Sequence, residues 1–543
     1  MPSAPPLRGS FRTDVRARAA YAEGAGIYRI IPAAVAIPAD IADLASLIRW
    51  AAAERAPLVL RGAGSAMGGG NVGEGTVVDL ARLRGEGVVI DAARRTARAG
   101  ASVTLDELDR AARLEGLRLP PDPSSGRWAT LGGMISTNAA GARTVRYGSV
   151  RPWVDAVEMV TADGDRLRLA RGVEPPAVPA TERFRLDAAP ALLAASDRIR
   201  SAFPRTRKNS SGYALDSWLA SGDLLDLVIG AEGTLGVVTA AEWRLDRVPG
   251  NRAGLRVALA TMDRFAEVIG IILEYRPSAV ELLDRTFLEL VMSRLPGDVA
   301  AAARGAEAMV LVELESSDPE ALRRSAATLT RALARLATRV DAALSEADAA
   351  RLWEIRHAAS PILAGLPETR RSLQVIEDGC VPVPRVGEYI RFVREAAARR
   401  GLEVVIFGHA GDGHVHVNLL PELGRAGWEA EVAALLDEVT GEIVLLGGTP
   451  SGEHGDGRLR ASLLERVYGA EIVALFRRVK AAFDPHGILN PGVIVPDGAA
   501  PIARLKAGNG AVALPPDIAA GLRQVERSGG YATPRLTLAD RTA

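Results

Sequence analysis

Hydrophobic and polar positions follow two different patterns along the 543 residues. From about 57 to 250, short β-rich runs such as PLVL and VVIDA alternate with glycine-rich turns. From about 251 to 450, longer stretches with apolar residues three and four apart alternate with strands such as EVVIF. Period-two runs predict strands, whereas the longer spacing predicts amphipathic helices. The sequence therefore predicts an α+β protein with two or three domains.

Capping residues and apolar spacing place several elements more closely. An aspartate before an apolar run is a preferred helix start, and Asp-Pro or glycine often ends one. We predict helices at 40–55, from 318 onward, at 386–400 and at 470–483. Asp163-Gly164 indicates a hairpin turn. Beyond 496 the chain is rich in proline, glycine and alanine without strong periodicity, and we expect it to be extended or disordered.

Composition removes several classes of function. The 66 basic residues balance the 66 acidic ones, which gives no reason to expect nucleic acid or an anionic membrane as partner. Cys380 is the only cysteine, which excludes an intrachain disulfide and a cysteine-ligated iron–sulfur cluster. The first residues lack the apolar run of a signal peptide, and no early stretch reaches the roughly 20 residues of a membrane span. We expect a cytoplasmic protein, or one peripheral to a membrane through a partner.

A glycine-rich loop, RGAGSAMGGGNVGEG at 61–75, follows a predicted strand. Its glycines let successive backbone N–H groups approach an anion without a Cβ in the way. Met67 stands at the third glycine position of the Rossmann dinucleotide motif, and a strand follows the loop instead of a helix. The loop therefore predicts phosphate binding, but not a nicotinamide-type Rossmann domain.

Three of the six histidines lie close together in GHAGDGHVHVNLL. His414, His416 and Asn418 alternate with apolar residues, so that they share one face of a strand. The turn at 411–413 would bring His409 back beside His416. A single buried histidine is usually a hydrogen-bonded core residue, but this clustering favours a binding site.

A second short motif, SGEHGDGR, places Glu453 and His454 between glycines. Two imidazoles from the histidine-rich segment and one carboxylate suit zinc, manganese or iron(II), with positions left open for substrate. The two motifs together therefore predict a divalent metal site.

Four further segments complete the pattern: PPDPSS at 120–125, TLGGMISTNAAGARTVRYG at 130–148, KNSSGYALD at 208–216 and IGAEGTLGVVT at 229–239. In this order the motifs resemble the vanillyl-alcohol-oxidase and p-cresol-methylhydroxylase superfamily. The resemblance is closest to its D-lactate dehydrogenase, glycolate oxidase and D-2-hydroxyglutarate dehydrogenase branch, and it covers about 12 to 495. It implies a two-subdomain FAD-binding (PCMH-type) domain and a substrate or cap domain with a largely antiparallel sheet flanked by helices.

Pattern and resemblance together predict five regions. An N-terminal arm covers 1–30, the FAD-binding domain 31–250, and the substrate or cap domain with the metal site 251–450. A C-terminal segment, 451–496, is expected to return to the flavin. The remaining 497–543 forms the tail.

The resemblance implies that FAD lies between the two subdomains and is held largely by backbone. Some relatives attach FAD covalently through a histidine where this chain has Ser65, so non-covalent FAD is expected. Asn490 is expected to return to the flavin ring. The residues expected to bind the cofactor are Arg61, Gly62, Ala63, Gly64, Ser65, Gly68, Pro121, Asp122, Ser124, Gly132, Gly133, Ser136, Asn138, Gly141, Glu232, Gly233, Gly236, Val237 and Asn490.

The resemblance also assigns chemical roles. The positions matching the family's metal ligands are His409, His416 and Glu453, with zinc expected first and manganese or iron as alternatives. His454 matches the general base, which would remove the substrate's hydroxyl proton while hydride leaves Cα for flavin N5. Arg356 matches a carboxylate-binding arginine. His414 replaces the family's usual asparagine and is a candidate additional ligand.

The implied activity is FAD-dependent dehydrogenation of a D-2-hydroxy acid, lactate-, glycolate- or 2-hydroxyglutarate-like, to the 2-oxo acid. The electrons would pass to a separate acceptor: an iron–sulfur protein, a quinone, a cytochrome or electron-transferring flavoprotein. The 497–543 tail is a candidate docking segment for it. Two alternatives stay open: a flavin-carrying electron-relay subunit of a complex, and another oxidase of this fold acting on a different alcohol.

Overall fold

Strands from the first 250 residues and strands from the later part form separate sheets. The computed structural model describes residues 5–294, 297–357, 359–531 and 533–540. In chain order the strands are β1 (Ser10–Arg12), β2 (Ala34–Ile37), β3 (Leu58–Arg61), β4 (Thr76–Asp79), β5 (Val88–Asp91), β6 (Thr96–Gly100), β7 (Leu117–Arg118), β8 (Val154–Val160), β9 (Arg166–Ala170), β10 (Val237–Arg244), β11 (Asp246–Arg247), β12 (Asn251–Leu259), β13 (Ala279–Asp284), β14 (Ala308–Ser316), β15 (Arg339–Ala343), β16 (Gly379–Cys380), β17 (Glu403–His409) and β18 (His414–Leu420).

The sheet topology agrees with the α+β prediction. A four-stranded sheet has the order β1-β2-β4-β3, in which β2, β4 and β3 are parallel. A five-stranded antiparallel sheet has the order β5-β6-β10-β8-β9, and β7 pairs with β11. The later part forms a seven-stranded antiparallel sheet in the order β15-β12-β14-β13-β17-β18-β16. Two small sheets followed by one large antiparallel sheet match the predicted subdomains and cap, and the fold class is confirmed.

Helices cover the sheets, and their bounds agree with the helices predicted from capping. Two of the long ones begin at the predicted aspartates: the side chains of Asp40 and Asp318 accept backbone N–H bonds as N-caps. The α-helices are Val15–Ala20, Ile41–Glu54, Leu105–Arg113, Leu131–Ser136, Thr144–Tyr147, Pro179–Arg183, Ala189–Ala194, Ser196–Ala202, Leu215–Ser221, Leu224–Val228, Phe265–Glu274, Arg285–Val291, Gly297–Ala303, Pro319–Leu333, Glu346–His357, Ala359–Ala364, Val386–Arg399, Trp428–Leu445, Gly457–Arg460, Leu464–Tyr468, Ala470–Phe483, Pro516–Ser528 and Leu536–Ala539. Among the described residues, no helix has both the length and the apolar character of a membrane span.

Part of the predicted N-terminal arm is built into the first sheet. β1 pairs antiparallel with β2, and the helix Val15–Ala20 buries Ala17 and Ala20. The predicted arm therefore belongs to the body of the flavin-binding part, because its short strand extends that sheet.

The prediction of an extended or disordered tail differs from the structure. The helix Pro516–Ser528 buries Ile518, Leu522 and Val525. Their spacing of four and three places them on one helix face. Because only three large apolar residues carry this pattern in a mostly polar stretch, the periodicity was too weak to indicate a helix. The helix packs against residues of the first helix and of the first sheet. A role of the tail in docking an electron acceptor stays a prediction.

Buried charges hold this C-terminal helix. The Glu526 carboxylate pairs with Arg371 of the cap, with Lys506 at 3.1 Å and with Arg523 at 2.8 Å. Burial alone would raise the pKa of Glu526, but the three cations outweigh it and lower that pKa to about 2. The ionised carboxylate therefore ties the tail to the cap.

We expect Glu526→Gln to lower the melting temperature by about 3–10 °C near pH 7. A carboxyl with a depressed folded pKa stabilises the fold above its unfolded pKa of about 4.3 and loses that contribution as the pH falls toward 2. The gap between variant and wild type should therefore shrink in thermal unfolding followed from pH 7 to about pH 3. Glu422→Gln, at an exposed glutamate, is the control. A gap that stays constant with pH would argue against the charge cluster.

Candidate functional site

One cavity of about 670 Å³ joins the glycine-rich loops to the histidine cluster. One part of the cavity wall is formed by residues 61–67, 122–125 and 232–233, together with much of 129–143. At the other part it is lined by side chains of the cap and of the SGEHG segment, namely Glu281, Arg356, Glu377, Phe407, His409, His416, Glu453 and His454. The two sets of motifs, far apart in sequence, therefore face the same space.

Glycine is required at specific points of the cavity wall because chains cross closely there. A Cβ on Gly141 would lie 2.3 Å from the carbonyl oxygen of Asp122, and one on Gly62 would lie 2.5 Å from Oγ1 of Thr130. Both distances are shorter than a Cβ tolerates. Glycine at these two positions therefore lets the segments that form the wall cross more closely than a side chain would allow.

The β17–β18 hairpin positions the imidazoles. His409 and His414 are cross-strand partners, and His416 lies opposite Phe407. Gly413 in the turn has φ +77° and its Cβ position lies 2.0 Å from Val381 O, so only glycine fits. The turn brings Nε2 of His416 to 3.3 Å from Nε2 of His409. The predicted folding back of His409 beside His416 is confirmed.

Glu453 completes a triangle with the two histidines. Its Oε1 lies 3.3 Å from Nε2 of His409 and 3.4 Å from Nε2 of His416. Asp378 holds the segment in place by accepting the backbone N–H groups of Glu453, at 3.2 Å, and His454, at 2.9 Å. Three donors at about 2.1 Å from a tetrahedral ion would be roughly 3.4 Å apart. The donor set therefore fits a divalent metal in both chemistry and spacing.

Each imidazole is oriented through its other nitrogen. Nδ1 of His409 lies 2.5 Å from Oε1 of Glu281, and Nδ1 of His416 lies 2.8 Å from the carbonyl oxygen of Glu377. Such carboxylate and carbonyl partners are typical of metal-binding histidines, because they place the proton on Nδ1 and leave the Nε2 lone pair for the ion. The supporting contacts thus aim both Nε2 atoms into the triangle.

The charges around the triangle are unbalanced. Five buried carboxylates, Glu281, Glu377, Asp378, Asp412 and Glu453, are linked to the histidines directly or through a shared cation. They face three cationic side chains, Lys208, Arg356 and Arg460. An excess of two negative charges in a buried cluster is costly. It is neutralised either by protons on His409 and His454, whose pKa values are raised, or by a divalent cation. Burial lowers the pKa of His409, but the nearby Glu281 carboxylate raises it by more. The resulting pKa of His409 is about 9.

His454 borders the same triangle from the cavity side. Its Nδ1 lies 2.5 Å from Oε2 of Glu377, while its Nε2 lies 3.6 Å from Oε1 of Glu453. The ring stacks on His416 at 5.3 Å and is 27% exposed. Burial lowers its pKa, but Glu377 and Asp378 raise that pKa to about 10. Because Nδ1 is engaged by Glu377, Nε2 is the ring nitrogen that a bound molecule can contact.

Arg356 lies on the cavity wall beside the cluster. Its Nε donates to Oε2 of Glu281 at 2.7 Å, and its guanidinium lies over the ring of Phe407 at 4.5 Å. These contacts hold the group flat against the wall. The predicted carboxylate-binding arginine is thus brought to the same end of the cavity as the histidines.

His414 occupies a different side of the cluster. Its Nε2 lies 2.8 Å from Oδ1 of Asp378, and its Nδ1 lies 3.9 Å from Oε2 of Glu453 without a hydrogen-bond partner among the described residues. Burial lowers the pKa of His414 to about 3, so the ring is neutral. A neutral, buried nitrogen at this position keeps His414 a candidate fourth ligand.

Comparison with known proteins decides the family. Residues 32–170 match the family described as FAD binding domain, and 249–494 match FAD linked oxidases, C-terminal domain. The D-lactate dehydrogenase of Archaeoglobus fulgidus is 33% identical over 84% of this chain and 90% of its own length. The chain belongs to the FAD-linked oxidases. The glycolate oxidase subunit GlcD of Bacillus subtilis is 29% identical over 86% of this chain and 89% of its own length.

Two solved structures have a fold similar to that of this oxidase. 4-Ethylphenol oxidase from Gulosibacter chungangensis has a TM-score of 0.65 at 16% identity, covering 90% of this chain and 94% of its own. p-Cresol methylhydroxylase has a TM-score of 0.64 at 13% identity over the same shares. The superfamily and the hydroxy-acid branch inferred from the motifs are confirmed, and the protein is an FAD-dependent oxidoreductase.

Most residues predicted to bind FAD lie on the cavity wall of this oxidase. Since backbone-lined space of this kind suits a dinucleotide, the cavity fits the cofactor of the family. Among the predicted residues, those that line the cavity are Arg61, Gly62, Ala63, Gly64, Ser65, Asp122, Ser124, Gly132, Gly133, Ser136, Gly141, Glu232, Gly233, Gly236 and Val237.

Four predicted residues lie behind the wall instead: Gly68, Pro121, Asn138 and Asn490. Asn490, expected to return to the flavin ring, donates from Nδ2 to the carbonyl oxygens of Gly70, at 2.8 Å, and Glu232, at 2.9 Å. Gly68 accepts the N–H groups of Arg458 and Leu459. Asn490, through Nδ2, and Gly68, through its carbonyl, therefore connect segments of the wall, while Oδ1 of Asn490 has no hydrogen-bond partner among the described residues.

Several residues of the oxidase site were missed by reasoning from sequence. Glu281, Glu377, Asp378 and Lys208 all contact a predicted ligand or the predicted base. Glu281 is a charged residue within the apolar run AVELLD, and Lys208 is one of three lysines in the chain. A charge inside an apolar strand and a lysine in an arginine-rich protein were the available signals.

Proposed function

We propose that this FAD-linked oxidase oxidises a D-2-hydroxy acid of the lactate, glycolate or 2-hydroxyglutarate type to the 2-oxo acid. Relatives named D-lactate dehydrogenase, glycolate oxidase subunit and D-2-hydroxyglutarate dehydrogenase support the substrate class. The observation that carries the proposal is the triangle of His409, His416 and Glu453, whose donor atoms lie 3.3–3.4 Å apart in the flavin cavity.

His409, His416 and Glu453 would hold a divalent metal, with zinc first and manganese or iron(II) as alternatives. When bound, the metal supplies Lewis acidity toward the substrate's carboxylate and hydroxyl, and FAD accepts the two electrons removed. The three side chains would also fix where the hydroxy acid sits, because all three line the cavity.

Arg356 would bind the substrate carboxylate. Because Nε is committed to Glu281, the outer edge of the guanidinium is the part that can receive it. A planar guanidinium suits a carboxylate, and the stacking on Phe407 limits its rotation. The residue would therefore orient the acid end of the substrate.

His454 would take the hydroxyl proton at Nε2. With a pKa of about 10 the ring carries a proton on both nitrogens, and the Nε2 proton would be repelled by a divalent ion on the neighbouring Glu453. Glu377 keeps the other proton on Nδ1, so that the freed Nε2 lone pair points at the cavity. Arg460 bonds the other oxygen of Glu377, at 2.5 Å, which keeps this carboxylate ionised and in place. The pair acts as an oriented general base.

Electrons would then leave the flavin for a separate acceptor, such as an iron–sulfur protein, a quinone, a cytochrome or electron-transferring flavoprotein. The chain's single cysteine cannot hold a cluster of its own. The acceptor would therefore dock on the outside of the protein.

Anaerobic mixing of the FAD-loaded protein with D-lactate, glycolate, D-2-hydroxyglutarate and L-lactate tests the proposal. At least one of the first three is expected to bleach the flavin absorbance, with D-lactate faster than L-lactate. Bleaching by simple alcohols or phenols, and by none of the hydroxy acids, would refute the proposed substrate class.

A further inference from the structure

Lys208 is buried against the metal ligand Glu453. Its side chain is fully enclosed, and its Nζ donates to Oε2 of Glu453 at 2.8 Å. The same nitrogen donates to the carbonyl oxygen of Gly141 at 3.0 Å and lies 3.6 Å from Oδ2 of Asp412. Gly141 belongs to the flavin wall, and Asp412 to the turn between the two metal-binding strands. One ammonium group thus connects three parts of the site.

The residue type fits this environment. An ammonium carries three donors on one nitrogen, whereas a guanidinium spreads five donors over a planar fork. Three acceptor oxygens surround a single point at Nζ. Only three of the 66 basic residues in the chain are lysines, so lysine at this point stands out against the general use of arginine.

The two oxygens of Glu453 face different partners. Oε1 faces Nε2 of His409 and Nε2 of His416, whereas Oε2 is turned to Lys208. A carboxylate can bind a metal through one oxygen or through both. Bidentate binding would place a divalent cation and the Nζ ammonium on the same oxygen, and the repulsion between these two buried positive charges opposes it.

We propose that Lys208 is a positioning residue that restricts Glu453 to one ligand atom, Oε1. The inference rests on the proposed metal site. A catalytic metal with three protein ligands needs an open position for its substrate. By retaining Oε2, Lys208 keeps that position free for the hydroxy acid, and its bond to Gly141 fixes the lysine relative to the flavin wall.

The test uses the full-length, FAD-loaded protein with cobalt(II) in place of its own metal. Lys208→Met has a similar length but no donor, so Glu453 is free to bind through both oxygens. We expect one cobalt per chain, a weaker visible cobalt spectrum from the higher coordination number, and a KM for the hydroxy acid raised about tenfold or more with a smaller change in kcat. Lys506→Met, at a buried lysine paired with Glu526 away from the site, is the matched control and should leave spectrum and KM unchanged.

A Lys208→Met protein with the wild-type cobalt spectrum and KM would overturn the proposal. Loss of cobalt would also overturn it, since Lys208 would then hold the site together without limiting Glu453. Should the variant not fold, a crystal structure of the metal-loaded wild type decides: Oε1 alone on the metal supports the proposal, and both oxygens on it refute it. A wild type that binds neither zinc nor cobalt would instead refute the proposed function.

Discussion

Replacing His454 by alanine is expected to slow reduction of the bound flavin by the hydroxy acid by about 10²- to 10⁴-fold. The reason is that Nε2 is the nitrogen turned to the cavity, 3.6 Å from the metal ligand Glu453, with Nδ1 engaged by Glu377. No other histidine lining the cavity is free for this task, since His409 and His416 both turn Nε2 into the triangle. The rate is measured by anaerobic stopped-flow absorbance of the flavin.

The same variant should keep FAD and metal. Glu377 retains its bond to Arg460 when His454 is removed, so no buried carboxylate is left without a partner. His486→Ala, at an exposed histidine just after the helix Ala470–Phe483, is the matched control and should reduce at the wild-type rate. Undiminished flavin reduction in His454→Ala would remove this residue from the mechanism.

Replacing His416 by alanine is expected to lower the affinity for the divalent metal by at least about 100-fold, and flavin reduction with it. Of the three proposed ligands, His416 is the one whose removal leaves no buried charge without a partner. Its other nitrogen bonds only a backbone carbonyl, whereas loss of His409 would strand Glu281 and loss of Glu453 would strand Lys208. Metal content after gel filtration and competition with a chelator give the affinity, and flavin absorbance reports FAD content.

FAD content in His416→Ala should match that of the wild type, because the glycine-rich wall does not depend on this ring. Added zinc in excess is expected to restore part of the flavin reduction. An unchanged metal affinity would mean that the ion, if bound, has other ligands.

Local patterns in the sequence were enough to predict the hairpin that carries the histidines. Alternation of polar and apolar residues placed His414 and His416 on one strand, and Gly411-Asp412-Gly413 implied the turn that returns His409. Aspartate caps likewise predicted the starts of two long helices. These features depend on residues a few positions apart, which is the range over which sequence patterns are informative.

The supporting contacts depend on residues far apart in the chain and could not be predicted in this way. Glu281 meets His409 across 128 positions, and Lys208 meets Glu453 across 245. Nδ2 of Asn490 likewise donates to backbone carbonyls 420 and 258 positions away, and the expected contact of Asn490 with the flavin ring stays a prediction. The packing of whole domains determines which partner a buried polar group bonds. Local patterns in a single sequence do not predict these long-range contacts.

The proposed oxidation of a hydroxy acid depends on a divalent ion held by His409, His416 and Glu453 in the flavin cavity. The most direct measurement is anaerobic flavin reduction by an active D-2-hydroxy acid before and after removal of metal from the FAD-loaded protein with a chelator. We expect the chelated protein to retain FAD but lose reduction, and one equivalent of zinc, manganese or iron(II) to restore it. Reduction at an undiminished rate in protein shown to be free of metal would contradict the account.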